Sequence, residues 1–354
     1  LDPFYPYVSV ETGQPHAACI HTCFPFLPRC LDSSPPFPLS STSTISGKFV
    51  MKVLVTGGAG FIGSHVVDQL IDAGHAVAVI DNLSTGVRGY VNPKATFHEI
   101  GVGDKQATDV FAREKPEAVC HLAAQINVTE SVKDPAFDAM TNIIGTINLL
   151  EASVRSGVKR FIFSSTGGAI YGSPKILPAD ESTVPEPMSP YGTSKLATEE
   201  YIKTYSRNHP LTYVILRYSN VFGPRQMPHG ECGVCAVLTD LMLKGKQPTL
   251  YGFGDPVRDY VYAGDVARAN VLALDHGSNV TVNISNGKGT TVNEIFDALK
   301  EVIGFKQEPL RKPLRSGEVE KITCANDRAK TVLGWSPTVG LLEGLHNTIA
   351  HMRG

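Results

Sequence analysis

From Met51 onward the chain alternates short apolar runs with amphipathic ones. "MKVLVT" is a β-branched run of strand length. "GFIGSHVVDQLIDAG" then carries Ile62, Val66, Val67, Leu70 and Ile71 at helical spacing and stops at Gly74, a natural helix end. "HAVAVID" reads as the next strand. The alternation continues with a helix at 105–115, strand "EAVCHLA", helix "TNIIGTINLLEASVRSG", strand "KRFIFSS", a helix at 191–209 and strand "LTYVILRYS". Strands that alternate with helices, several of them apolar throughout, predict a parallel sheet covered on both faces, the doubly wound Rossmann-like class of α/β fold. The expected organisation is a dinucleotide-binding domain over 51–220 and a smaller α/β substrate domain over 221–354. Segments of the second half such as "YVYAGDVARANVLALD" are expected to return to the first domain.

Residues 1–50 break the pattern. "LDSSPPFPLSSTSTISG" is rich in Pro, Ser and Thr and aperiodic, a composition that cannot bury enough apolar surface to offset ordering. The segment lacks the continuous apolar core of a secretory signal and has too few arginines for a typical transit peptide. It reads as a disordered leader with no part in the fold, with Met51 as the natural start.

Composition narrows the function without naming it. Hydrophobic residues make up 42% and charged residues 19%, and the net charge is -2. That balance excludes a protein held to nucleic acid or an anionic membrane by charge alone, and no apolar stretch approaches a membrane span. Seven cysteines without regular spacing do not form a disulfide framework and point to a reducing, cytoplasmic setting. Cys232 and Cys235 make one C-x-x-C, but no second pair or matching histidines stand by for zinc, so both read as small apolar residues near a helix start and no metal is expected.

The chemistry begins at the first strand-to-helix junction, "TGGAGFIG". Gly57, Gly60 and Gly63 let the backbone approach a pyrophosphate, which would sit on free N–H groups at the positive helix end. Glycines serving tight packing alone are the competing reading; the preceding strand, the helix start and an acid after the second strand weigh against it. That acid, Asp81, can accept from both adenosine ribose hydroxyls and would repel a 2′-phosphate, which favours NAD over NADP. Further along, Thr166 falls just past the carboxyl end of a central strand, where open α/β sheets bind ligands. Tyr191 follows Pro190 at a helix start, and Lys195 lies one turn on, on the same face. A tyrosine with a pKa of about 10 is a poor base at neutral pH, and a neighbouring ammonium favours its phenolate. The trio suits hydride transfer: Tyr191 takes a hydroxyl proton, Thr166 orients that hydroxyl, and Lys195 holds the nicotinamide ribose and tunes Tyr191.

The segments "TGGAGFIGSHVVDQL", "VIDNLSTG", "VCHLAAQ", "NIIGTINLLEA", "FSSTGGAIYG", "SPYGTSK", "LRYSNVFGPRQ", "VRDYVYAGDVARA" and "LGWSPTVGLLEGL" span all but the first fifty residues. In these the chain resembles the extended short-chain dehydrogenase/reductase superfamily, and within it the NAD-dependent epimerase/dehydratase family, most closely its UDP-hexose 4-epimerases. The resemblance implies a homodimer built on helices 105–115, 137–157 and 191–209, with retained NAD and a UDP-sugar substrate. It places Phe61, Ile62, Asn82, Ser84, Thr85, Gly86, Val102, Leu122, Ala123, Ala124, Gln125, Ser164 and Tyr218 against the cofactor. It places Asn220 on the substrate diphosphate, Tyr251 beside the uracil, Arg258 and Arg315 on the two phosphates, and Glu318 on the uridine ribose.

The chain departs from the pattern in three places. Gly101 stands where an acid often contacts adenine, leaving the Val102 backbone and Asp104. "TGGAIYG" is one residue longer than in many relatives, which makes Ser165 a second candidate for the role given to Thr166. Ile322 falls near the position that limits the C2 substituent. Gly167 and Gly168 after Thr166 count against a 4,6-dehydratase, and Ala169 and Ile170 offer no glutamate for a decarboxylase. Epimerases of UDP-N-acetylhexosamine or UDP-glucuronate stay open, as does a non-catalytic NAD-binding sensor, although that would be free to lose the tyrosine or lysine kept here.

Overall fold

Seven parallel strands form the main sheet of the computed structural model, which describes residues 50–228, 233–314 and 319–354. Arg315, Glu318 and Cys232, and nearly all of the leader segment, lie outside the described residues. The strands are β1 (Lys52–Thr56), β2 (Ala76–Asp81), β3 (Thr96–Glu99), β4 (Ala118–His121), β5 (Arg160–Thr166), β6 (Thr212–Tyr218), β7 (Asn220–Phe222), β8 (Thr249–Tyr251), β9 (Val257–Tyr262), β10 (Val280–Ile284), β11 (Gly289–Thr291) and β12 (Leu310–Lys312). Across the main sheet the order is β3-β2-β1-β4-β5-β6-β10. The winding direction reverses between β1 and β4, so the loops after these two strands diverge and open a crevice at their carboxyl ends.

The helices are α1 (Phe61–Asp72), α2 (Gln106–Glu114), α3 (Val128–Lys133), α4 (Pro135–Ala139), α5 (Gly145–Ser156), α6 (Gly167–Ile170), α7 (Pro190–Asn208), α8 (Val234–Leu243), α9 (Ala263–Leu272), α10 (Val292–Ile303), α11 (Asp327–Leu333) and α12 (Leu341–Arg353). Alternate residues of β1 show why its sequence is apolar throughout. Val53 and Val55 pack into a core with α1, α9 and α11, while Leu54 packs into a second core with α2, α5 and α7. A third core, around Phe222, Leu238, Phe296 and Leu345, joins α8, α10 and α12 beside the small β7-β9-β11 sheet and the β8-β12 pair.

One predicted helix is more broken than its pattern suggests. The run read as 141–157 is α5 preceded by a π turn at Met140–Ile144, and before that come the short α3 and α4. Asn127 and Asp134 cap those two short helices, accepting from Glu130 N at 2.7 Å and Phe137 N at 2.9 Å.

The C-terminal segment is fastened to α9 through Asp265. Its carboxylate accepts from Thr338 N at 2.9 Å and Val339 N at 3.0 Å and pairs with Arg268 at 2.7 Å, while Trp335, fully buried, donates to the Asp265 carbonyl. Burial pushes this carboxyl up, but its donors outweigh that and hold it below the ordinary carboxylate value. Its contribution is therefore present above the unfolded value of about 4 and lost as pH falls through the lower folded one. Asp265→Asn is expected to cost about 2–4 kcal/mol in urea unfolding at neutral pH, with the gap narrowing in acid. Equal stability of the two proteins at pH 7 would contradict this account.

Candidate active site

The turn between β1 and α1 leaves no room for side chains at two of its glycines. Gly57 has φ +72°, and a Cβ there would lie 2.7 Å from Ala123 N. A Cβ on Gly63 would lie 2.0 Å from the Gly57 carbonyl oxygen. The helix therefore begins in contact with the turn, and its cap residue Gly60 supplies no side-chain acceptor. Its first N–H groups lack intrahelical partners and border a cleft lined by Gly60, Phe61, Ile62 and Gly63, a site that favours an anion. Asp81, at the end of β2, lines the same cleft. Its Oδ2 accepts from Ala59 N at 2.9 Å and its Oδ1 from Leu83 N at 2.8 Å. Two bonds fix the carboxylate and leave lone pairs on both oxygens, as a pair of ribose hydroxyls requires. The cradle and the acid thus fit a dinucleotide.

The cleft continues past Asn82, Ser84 and Thr85, then Val102, Leu122, Ala123 and Ala124, and ends at Ser164, Ser165, Tyr191, Lys195 and Tyr218; Thr166 and Asn220 are not on its wall. Here α7 starts: Ser189 caps it by accepting from Gly192 N at 3.2 Å, Pro190 fixes its first turn, and Tyr191 N donates to Ser131 Oγ at 3.1 Å. Lys195 is 4% exposed. Its Nζ donates to the Ser164 carbonyl at 2.9 Å and lies 4.8 Å from the Phe163 ring centre and 6.0 Å from that of Tyr191. Burial pushes this ammonium down to about 8, against the opposing charges of Asp138 and Glu199. Tyr218 is buried, its hydroxyl bonded to Ser164 Oγ at 2.9 Å and to Asn270 at 2.7 Å, and burial pushes that phenol up.

The hydroxyls of Ser165 and Thr166 are used differently. Ser165 donates to buried Glu199 at 2.6 Å, and Glu199 is held by both arms of Arg217, at 2.9 and 2.6 Å. Thr166 caps α6, accepting from Ala169 N at 3.2 Å, and is only half-buried. A Cβ on Gly168 would lie 3.7 Å from Asn220 Oδ1 and 3.9 Å from Thr166 Oγ1, so these two polar groups converge over one glycine.

Other residues named from the sequence lie off the cleft wall. Gly86 packs on Asp81, and a Cβ there would come within 2.9 Å of Oδ1. The Gln125 amide is turned to Asn127 and Asp138, while its backbone N–H donates to Asn142 at 2.8 Å. Tyr251 ends β8, and Arg258 on β9 donates to the Val257 and Glu320 carbonyls. Ile322 is buried with Tyr171, Ala179 and Cys324.

Sequence reasoning missed the wall residues Ile80, Ile100, Ile126 and Thr141 and a polar chain beneath them. Thr146 donates to the Asn142 carbonyl at 2.6 Å, so its oxygen accepts from His121 Nε2 at 2.8 Å. The other ring nitrogen of His121 then accepts from Thr56, whose oxygen in turn accepts from Ala123 N. Burial, with the Lys195 charge, pushes His121 down to about 3, so the imidazole is neutral and locked in one tautomer. The signal available was the polar pair Thr141 and Asn142 at the start of the run read as helix 141–157.

Among the described residues no group of His, Cys, Asp or Glu could hold a metal ion, and no helix is long and apolar enough to cross a membrane. Residues 53–285 match the model of the NAD dependent epimerase/dehydratase family. The chain belongs to that family. It is 51% identical to the crystal structure of a Thermotoga maritima UDP-glucose 4-epimerase with UDP-glucose, with a TM-score of 0.84 and coverage of 86% of this chain and 99% of that one. A Thermus thermophilus UDP-glucose 4-epimerase in complex with NAD is 44% identical, with a TM-score of 0.81 and coverage of 86% and 99%. A UDP-glucose 4-epimerase of Mycolicibacterium smegmatis is 39% identical over 309 residues, 86% of this chain and 99% of that protein. The glycine cradle, Asp81 and the Tyr191–Lys195 pair of this epimerase/dehydratase family member all lie within the matched residues.

Proposed function

We propose that the protein is a UDP-glucose 4-epimerase that interconverts UDP-galactose and UDP-glucose through a 4-keto sugar. The observation that carries this reading is the grouping of Tyr191, Lys195 and Ser164 at the inner end of the cleft that begins at the glycine cradle. The similarity to epimerases crystallised with UDP-glucose and with NAD supports the same substrate and cofactor. The turn at Gly57 to Gly63 and the Asp81 carboxylate would hold NAD, which supplies a reversible hydride acceptor when bound.

The chain's own residues do the rest. Tyr191 takes the proton of the 4′-hydroxyl and returns it once the sugar has presented its other face. Lys195, anchored on the Ser164 carbonyl, keeps a positive charge near the Tyr191 ring and so favours its phenolate. Thr166 orients the substrate hydroxyl, because the Ser165 hydroxyl is already given to Glu199. Asn220 meets the diphosphate beside Thr166, and Tyr251, Arg258, Arg315 and Glu318 grip the uridine diphosphate half. That division leaves the hexose free to turn.

The working form is a cytoplasmic homodimer, a reading supported by two features. Phe137, Met140, Ile144 and Tyr201 are exposed on α4, the π turn and α7, which suits a helical interface. Cys120, Cys235 and Cys324 are buried free thiols, as a reducing compartment permits. The test is to mix the protein with UDP-galactose, add no NAD, and follow the sugar by NMR. UDP-glucose should appear. No turnover of any UDP-hexose by protein that carries NAD would overturn the assignment.

A further inference from the structure

Asp138, on α4, presents an unusual electrostatic problem. Its side chain is 1% exposed. One oxygen, Oδ1, accepts from Gln125 Nε2 at 2.9 Å and Asn142 Nδ2 at 3.1 Å, while Oδ2 is buried with no hydrogen-bond partner among the described residues. A buried carboxylate held this way is costly, and an asparagine could accept the same two bonds at less expense. The charge itself therefore needs a reason.

We propose that Asp138 is the charge partner of Lys195, a positioning residue that keeps this lysine an ammonium beside Tyr191. The proposal deepens the proton-handling role given to that pair and rests on it. The connection is structural before it is electrostatic. Asn142, in the π turn, spends one amide on three neighbours: Asp138 Oδ1, the Gln125 carbonyl at 3.0 Å, and Ser194 Oγ at 3.2 Å. Ser194 immediately precedes Lys195, so the carboxylate and the start of α7 are held in one frame.

The groups acting on Lys195 can be named from each element around it. Asp138 acts from α4, Glu199 from its own helix, and His121 from β4, with the Tyr191 and Phe163 rings alongside. His121 is neutral and supplies no compensation. Glu199 is already neutralised by the two-armed bond from Arg217. Asp138 has no such partner, and of the two carboxylates it opposes the burial of Lys195 more strongly. Without it the lysine would lose its proton at a lower pH, and Tyr191 would lose the nearby charge that favours phenolate.

The test reads the lysine directly. Holoprotein labelled with carbon-13 at lysine Cε is titrated by NMR, with the Lys195 resonance assigned by its loss in Lys195→Met. Wild type should titrate below the ordinary lysine value. In Asp138→Asn the midpoint should fall by roughly one pH unit, and in Asp138→Glu, which keeps the charge, it should stay near the wild-type value. Asp138→Ser carries the same expected shift as Asp138→Asn and replaces it if that variant does not fold. An unchanged midpoint in either folded neutral variant overturns the proposal. Because the readout needs no turnover, absence of UDP-hexose epimerisation would sink the functional assignment while leaving this titration to be decided separately.

Discussion

Tyr191→Phe is expected to keep its bound NAD and to lose about 10²–10⁴-fold in turnover. The substitution removes a hydroxyl and nothing else, and the backbone bond from residue 191 to Ser131 is untouched. Among the described residues no neighbour is placed to stand in as base. The Ser165 hydroxyl is committed to Glu199, and the Lys195 ammonium is committed to the Ser164 carbonyl. Thr166 is an alcohol with no adjacent base, so it can orient a hydroxyl but not deprotonate one. Two measurements check this: NMR of UDP-galactose conversion, and the absorbance of cofactor released on denaturation. Wild-type turnover in the variant would show that the base lies elsewhere.

Gly63→Ala should both destabilise the protein and empty its anion site, because the added methyl group would collide with the turn. The new carbon would lie 2.0 Å from the Gly57 carbonyl oxygen and 2.7 Å from its carbon, and both are backbone atoms that no rotamer change can move. Either α1 shifts away from the turn or the turn opens, and in both cases the anion site at the helix start is lost. A cost of about 3 kcal/mol and an apoprotein on purification are expected. Gly74→Ala is the control. Unlike Gly63 it has a left-handed conformation, φ +95°, but no neighbour lies within 4 Å of the added carbon. Its cost should be only about 1–2 kcal/mol of backbone strain, with NAD retained. Equal stability and cofactor content in the Gly63 and Gly74 variants would refute the packing argument.

These two predictions rest on residues that were readable in the sequence because their roles are local. A glycine that must clear a backbone, an acid that ends a strand and a tyrosine one turn before a lysine each leave a short-range pattern. The sheet was readable for a related reason: strands buried on both faces become apolar throughout, as β1 does. What escaped was set by distant partners. Asp138 and Asn142 stand one helical turn apart, but the pattern links neither to His121 on β4, which reaches Asn142 through Thr146 on α5. The π turn was hidden because one extra residue per turn hardly disturbs an apolar stripe of period 3.6. The bond from Ser165 to Glu199 also escaped because its partners are distant, since Glu199 is held there by Arg217 from β6.

The outer strand β10 has a consequence for how the chain is made. It pairs with β6 in parallel, Val280 beside Val214, so the main sheet is finished by residues that leave the ribosome long after their partners. At roughly 5–20 residues per second, β6 spends some seconds with a bare row of N–H and C=O groups, an edge open to mispairing. The intervening segment is also the one that builds β7, β8 and β9. Any lengthening of that segment would prolong the exposure, so the tolerance of this region to insertions is limited by synthesis as well as by the finished fold.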